Sequence, residues 1–283
     1  MTTVVTGATG HVGRLALEAL LARGVAPAEL VATGRRVDTL GDLAALGVAV
    51  RRADYDDPAT LDDAFAGATQ LLFVSGSEVG ARLQQHRAVV DAAVRAGVRH
   101  LVYTSGPRAD ISTLPVNADH KATEEYIAAS GIPATILRNN WYSENYLPDL
   151  ATARAGGEIV SATGTGRIAS ASRADYAEGA AVVLTEHGHE HKVYELGGDS
   201  AWDYDELVAT LSQLVGHQVT RRDAAPQERH AQLLAGGLPE EVAAFVVGIE
   251  TAIAHGALAD VTGDLSRLIG RPTVPLATTL AAG

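Results

Sequence analysis

Apolar and polar positions repeat along the first half of the chain in two different periods. Short runs rich in Val, Leu and Thr read as strands: Thr2 to Thr6, Leu30 to Thr33, Val48 to Arg52, Gln70 to Val74, His100 to Thr104 and Ala134 to Leu137. Between the first two, Val12, Leu15, Ala16, Ala19 and Leu20 recur at i, i+3, i+4, i+7 and i+8, one face of a helix that Gly24 ends. Leu83, Val90 and Val94 mark another helix before Gly97, and Pro58 opens one that contains Leu61 and Phe65. Strands that alternate with amphipathic helices pair in parallel, because each crossover helix must cover a face of the sheet. The expected class is α/β.

After Tyr142 the pattern loosens, with breaks at Gly156-Gly157 and Gly164-Thr165-Gly166. Arg173 to Thr185 still reads as a helix and Lys192 to Leu196 as a strand that rejoins the sheet. Asp203 with Glu206 has the spacing of a capping box ahead of Leu207, Val208, Leu211, Leu214 and Val215, and the remainder up to Leu268 is predicted mainly helical. These readings divide the chain into a first domain over 1–155, rejoined by 171–197, and a smaller, mainly helical lobe made of 156–170 and 198–283.

Composition narrows the function. With 47% apolar and 20% charged residues, the 283-residue chain can bury a full core. Its net charge of −12 repels nucleic acid and anionic membrane surfaces, so neither is an expected partner. No cysteine is present, which excludes thiolate chemistry and means that any redox function needs a cofactor. The strand-like run directly after Met1 leaves no room for a leader, and no stretch approaches 18 apolar residues, so a cytoplasmic location is expected.

The most informative segment is Gly7-Ala8-Thr9-Gly10-His11-Val12-Gly13, placed between the first strand and the first helix. Glycines there keep the turn tight and admit a pyrophosphate to the backbone, and the helix start offers unpaired N–H groups to the anion. Strand, loop and helix in this order predict a doubly wound Rossmann sheet that binds a dinucleotide. NAD would call for a carboxylate after the second strand to accept from the ribose 2′-hydroxyl; the chain has Gly34-Arg35-Arg36 instead. Arginines favour a 2′-phosphate, so the expected cofactor is NADPH, with NADH bound more weakly.

Ligands of such sheets lie beyond the strand ends. Asp54, after the third strand, is placed to accept from the adenine amine or to close its own turn. Ser75-Gly76-Ser77, after the fourth, suits close approach of ribose or diphosphate. Thr104-Ser105-Gly106 and Arg138-Asn139-Asn140-Trp141-Tyr142 follow the fifth and sixth and are expected to frame the nicotinamide.

Short-chain dehydrogenases protonate an alcohol oxygen with a Tyr whose pKa is lowered by a Lys four residues on. None of the eight tyrosines here has that partner, and Lys121 and Lys192 are the only lysines. Val116 stands where the Tyr belongs and His120 where the Lys belongs. Alcohol dehydrogenation by that device is disfavoured. A quinone fits better, because hydride uptake leaves a stabilised hydroquinone anion that modest donors can neutralise. Ser105, Asn140 and Tyr142 are the expected catalytic donors; His120 is a further donor or a polar residue at a helix start, and Trp141 and Tyr142 also suit packing under the lobe.

These segments, together with Ser77-Glu78-Val79-Gly80, Gln85-His86-Arg87, Trp141 to Tyr146, Ser172 to Tyr176 and Gly198 to Trp202, resemble the NmrA-like branch of atypical short-chain dehydrogenase/reductases, in particular its quinone-reducing group. The resemblance spans nearly the whole chain. It implies a Rossmann domain with a small C-terminal lobe, NADPH in the cleft between them, hydride transfer to quinones without flavin, and a monomer or homodimer. It also implies that Gly7, Thr9, Gly10, His11 and Val12 contact cofactor, as do Arg35, Ser75 and Ser77 and, farther on, Asn139, Trp141, Tyr142 and Arg173. His11 and Gly34 are unusual at their places. Dye-reducing relatives with the same motifs, enone reduction, and a sensor that binds NADP(H) without turnover are the alternatives. His187, His189 and His191 with Glu186 and Glu190 read as a solvated turn, and no metal site is expected.

Overall fold

The computed structural model describes every residue except Ser77 and Val79. Its strands are β1 (Thr3–Val5), β2 (Leu30–Gly34), β3 (Ala49–Arg52), β4 (Gln70–Phe73), β5 (His100–Ser105), β6 (Ala134–Asn139), β7 (Ile159–Ser161), β8 (Val193–Leu196) and β9 (Arg221–Asp223). The helices of the first part are α1 (His11–Ala22), α2 (Gly41–Ala45), α3 (Pro58–Phe65), α4 (Arg82–Arg95) and α5 (Asn117–Ser130). They are followed by α6 (Leu147–Arg154), α7 (Arg173–Thr185), α8 (Tyr204–Val215), α9 (Pro226–Ala235), α10 (Glu240–Ala254), α11 (Asp264–Ile269) and α12 (Leu276–Ala281). Each strand expected from periodicity is present, its ends displaced by no more than a residue or two, and α7 has the expected bounds.

Seven strands form one parallel sheet in the order β3-β2-β1-β4-β5-β6-β8. The order reverses between β1 and β4, so the crossovers diverge there and open a crevice at the strand ends. One face is covered by α1 and α7, where Ala16, Leu17 and Leu20 meet Ala177, Ala180 and Leu184. The apolar surface of α7 runs almost all the way round, because the helix lies between α1, α11 and the sheet. The other face carries α3, α4 and α5. The inward row of α4 is His86, Val89, Val90 and Ala93, while Val94, expected on the buried face, is 47% exposed because it falls outside that i, i+3, i+4, i+7 row.

A separate apolar cluster joins α6, α8, α10 and α12 around Tyr146, Leu150, Trp202, Leu207 and Ile253. The capping box at the start of α8 is formed: Asp203 Oδ1 accepts from the backbone N–H of Glu206 at 3.0 Å, and Glu206 Oε2 accepts from that of Asp203 at 2.9 Å. The mainly helical expectation for this part needs one correction. β7 and β9 pair in parallel as a two-stranded sheet. Strands of three residues are too short to show alternation, and Arg221-Arg222-Asp223 has no apolar residue to betray one. Among the described residues no helix is long and apolar enough to cross a membrane.

Asp149, in the first turn of α6, has its carboxyl pushed up to about 6 by burial, with Glu250 adding repulsion against the opposing pull of Arg229. The folded chain therefore holds this proton more tightly than the unfolded chain. The charged form costs stability above about pH 6, and the cost vanishes as pH falls toward the ordinary carboxyl range. Asp149→Asn is expected to raise stability by about 1–2 kcal/mol at pH 8 and by nothing measurable at pH 4. Thermal melts at the two pH values check it; equal effects at both exclude titration of this carboxyl as the cause.

Candidate active site

The crevice at the sheet reversal is a cleft of about 490 Å³. Its floor is the turn from β1 into α1, where Gly7, Thr9, Gly10, His11 and Val12 line the wall. Gly7 is left-handed at φ +63°. A Cβ on Gly13 would stand 2.5 Å from the carbonyl oxygen of Gly7, so only glycine lets the helix start this close to the strand. The N-cap Gly10 offers no side chain, and the first turn has no acidic residue, so the leading N–H groups of α1 are free for an anion. That cradle fits a dinucleotide pyrophosphate.

Gly34 and Arg35, after β2, form the next part of the wall. A Cβ on Gly34 would meet the Thr9 side chain at 2.7 Å, which gives this unusual glycine its reason. Arg35 is 63% exposed and its Nη1 donates to Glu78 Oε1 at 2.6 Å. Hydrogen bonds from Gln85 and then from Arg35 hold the Glu78 carboxyl below its usual range. Asp54 lines the cleft, and its Oδ1 accepts from the Asp56 N–H at 3.3 Å, closing its own turn. Beside it the Tyr55 hydroxyl reaches Thr6 Oγ1 at 2.7 Å and Val74 O at 2.9 Å, tying β1 to the end of β4.

Ser75 and Gly76 line the cleft after β4, and Tyr142, after β6, and Arg173, at the start of α7, complete its wall. The Arg173 guanidinium lies 5.3 Å from the Tyr142 ring centroid and donates to Asn145 Oδ1 at 3.0 Å. Arg173 thus faces the cleft. Burial raises the Tyr142 hydroxyl above its ordinary pKa, so it stays a neutral donor.

Four of the expected residues are not brought to the cleft wall. Ser105 Oγ donates to Glu124 Oε1 at 2.5 Å, inside an ion network in which Arg138 pairs with Glu124 and Glu195. Asn140 spends its amide on the Leu258 carbonyl at 3.2 Å and on the Trp141 N–H at 2.7 Å. Trp141 packs against the lobe cluster. Asn139 is buried, and its Oδ1 has no hydrogen-bond partner among the described residues. Ser77 lies outside the described residues.

Arg82 and His120 are among the further side chains on the wall. Arg82, 6% exposed, donates from Nε to the Gly76 carbonyl at 2.8 Å and brings a fixed cation. His120, 8% exposed, lies near it, and burial followed by the Arg82 charge drives its pKa down to about 3. Arg82 was hidden because its position on α4 reads as an exposed charge; nothing local in its sequence marks it as buried.

The NAD(P)H-binding family model matches residues 7–187, which contain the whole phosphate cradle and strands β2 to β7. The chain belongs to this NAD(P)H-binding family. Within it, the chain is 45% identical to quinone oxidoreductase 2 of Escherichia coli, over 96% of this chain and 95% of that one. A crystal structure of an Escherichia coli NADPH-dependent quinone oxidoreductase complexed with NADPH superposes with a TM-score of 0.95 at 44% identity, covering 100% of this chain and 99% of the other. A Citrobacter sp. triphenylmethane reductase complexed with NADP(H) gives 0.94 at 37% identity, with the same coverage. The seven-stranded sheet is therefore the family's Rossmann-like fold, and the chain is an oxidoreductase.

Proposed function

We propose that the chain is an NADPH-dependent reductase that passes hydride directly to quinones or related conjugated acceptors without flavin. The observation that carries this reading is the make-up of the cleft wall, where Tyr142, His120 and Arg82 stand and, among the described residues, no lysine does. Burial pushes the His120 imidazole down and the Tyr142 hydroxyl up, which favours the neutral form of each. A ketone needs a poised acid as its alkoxide forms; a quinone, whose reduced anion is delocalised, needs only hydrogen-bond donors and a nearby positive charge. Tyr142 and Arg82 supply both at the wall.

The glycine cradle and the start of α1 hold the pyrophosphate, Arg35 the 2′-phosphate, and Asp54 the adenine edge, while Ser75, Gly76, Tyr142 and Arg173 border the nicotinamide. NADPH, when bound, supplies the hydride. The similarity to enzymes named for quinone and for dye reduction supports conjugated acceptors as the class. The molecule is read as cytoplasmic, a monomer or homodimer.

The test follows NADPH oxidation with a benzoquinone, a naphthoquinone, a triphenylmethane dye and a simple ketone. Turnover is expected with the first three and not with the ketone. Ketone turnover as fast as quinone turnover overturns the acceptor class, and saturable NADPH binding with no turnover of any acceptor favours the sensor instead.

A further inference from the structure

Behind the cleft wall lies a chain of buried polar groups that the family comparison does not explain. The Gly76 N–H donates to His86 Nε2 at 2.9 Å, which makes that nitrogen an acceptor and puts the ring proton of His86 on Nδ1. His86 Nδ1–H then faces Thr123 Oγ1 at 2.9 Å, whose own proton goes to the Asp119 carbonyl at 2.7 Å. The Tyr103 hydroxyl lies 3.4 Å from His86 Nδ1 and 2.8 Å from His120 Nδ1. With the His86 proton already committed to Thr123, Tyr103 donates to His120. His120 Nδ1 is therefore an acceptor, and its ring proton must sit on Nε2.

His120 Nε2 has no partner among the described residues, and it is not among the polar atoms sealed from solvent. Since His120 lines the cleft, this N–H is available there. The ring's seat is built. A Cβ on Gly106 would come within 3.1 Å of His120 Cδ2 and 2.2 Å of Asn117 Oδ1, so glycine after β5 is what admits the start of α5. Arg82, anchored on Gly76 and 3.5 Å from Asp119, places its cation beside the same wall.

We infer that His120 is a catalytic residue for quinone reduction: its Nε2–H, held in that tautomer by Tyr103, donates to the acceptor oxygen on which negative charge develops. Tyr103 and His86 are positioning residues. The inference rests on the reductase reading proposed above and identifies one of its donors. A quinone that takes up a hydride becomes a hydroquinone monoanion, and one proton from water completes it. Neutral imidazole stabilises that anion by hydrogen bonding and gives up no proton of its own. A triphenylmethane dye cation takes up the same hydride to give a neutral product, with no oxyanion for His120 to meet. The two acceptors therefore separate the donor's role from folding and from cofactor binding.

In the His120→Ala enzyme the quinone-to-dye turnover ratio is expected to fall about 100-fold, the usual loss for one oxyanion donor, with NADPH affinity and melting temperature retained. His120→Gln, whose amide N–H reaches about as far as Nε2, should recover most of the ratio. A second readout needs no turnover: ring 15N NMR of the cofactor-free protein should show His120 as the neutral Nε2–H tautomer from pH 5 to 9. The groups around it there are Tyr103 from β5, His86 and Arg82 from α4, and Asp119 from its own helix. Tyr103→Phe should mix the tautomers and lower the ratio without changing NADPH affinity. A ratio that survives His120→Ala in an active enzyme, or a His120 seen as imidazolium or Nδ1–H at pH 7, overturns this inference alone. A wild type inert to every quinone overturns the reductase reading beneath it.

Discussion

Arg35→Ala is expected to weaken NADPH by about 1.5–3 kcal/mol, roughly 10- to 150-fold in Kd, and to leave NADH nearly unchanged. The expected loss is that of a charge-assisted bond to the 2′-phosphate, which NADH lacks. In the free protein Arg35 is already paired with Glu78 at 2.6 Å. An exposed pair of this kind contributes less than about 1 kcal/mol, so its replacement by phosphate reduces the net effect toward the lower end of the range without cancelling it. Fluorescence titration with both cofactors decides it: equal losses show that Arg35 does not read the 2′-phosphate.

Gly13→Ala has a larger structural effect. The added Cβ would stand 2.5 Å from Gly7 O and 2.6 Å from Gly7 C, and backbone atoms cannot swing aside as a side-chain tip can. Either α1 moves off the sheet or the loop opens, at a cost of about 3 kcal/mol, which lowers the melting temperature by about 6–12 °C in a chain of this size. NADPH affinity should fall with it, since the leading N–H groups of α1 no longer meet the pyrophosphate. Gly41→Ala is the control. It has helical φ of −61° and nothing within 4 Å of a new Cβ, so the same substitution should be neutral or slightly stabilising. A Gly13→Ala protein that melts and binds like wild type would show that the close helix–strand approach carries no load.

The parallel sheet, its strand positions, the phosphate cradle and the basic turn after β2 follow from local order in the chain. Strand-then-glycine-then-helix is a pattern over adjacent residues, and the absence of a Tyr–Lys pair can be counted without knowing the fold. The short β7–β9 pair could not be read, because its stabilising partners lie far apart in sequence and each strand is below the length at which alternation appears.

What tertiary structure decided is which polar groups are free to act. Ser105 and Asn140 follow the strands where donors were expected, yet Glu124 and the Leu258 carbonyl, remote in sequence, claim their hydrogen bonds. Locally, His120 reads either as a donor or as a polar residue at a helix start, and the choice turns on Tyr103 and, behind it, His86, whose Nε2 accepts from the Gly76 N–H. Periodicity tells whether a side chain points inward, but a hydrogen bond is used up by whatever stands opposite. That partner is known only when the chain has closed on itself.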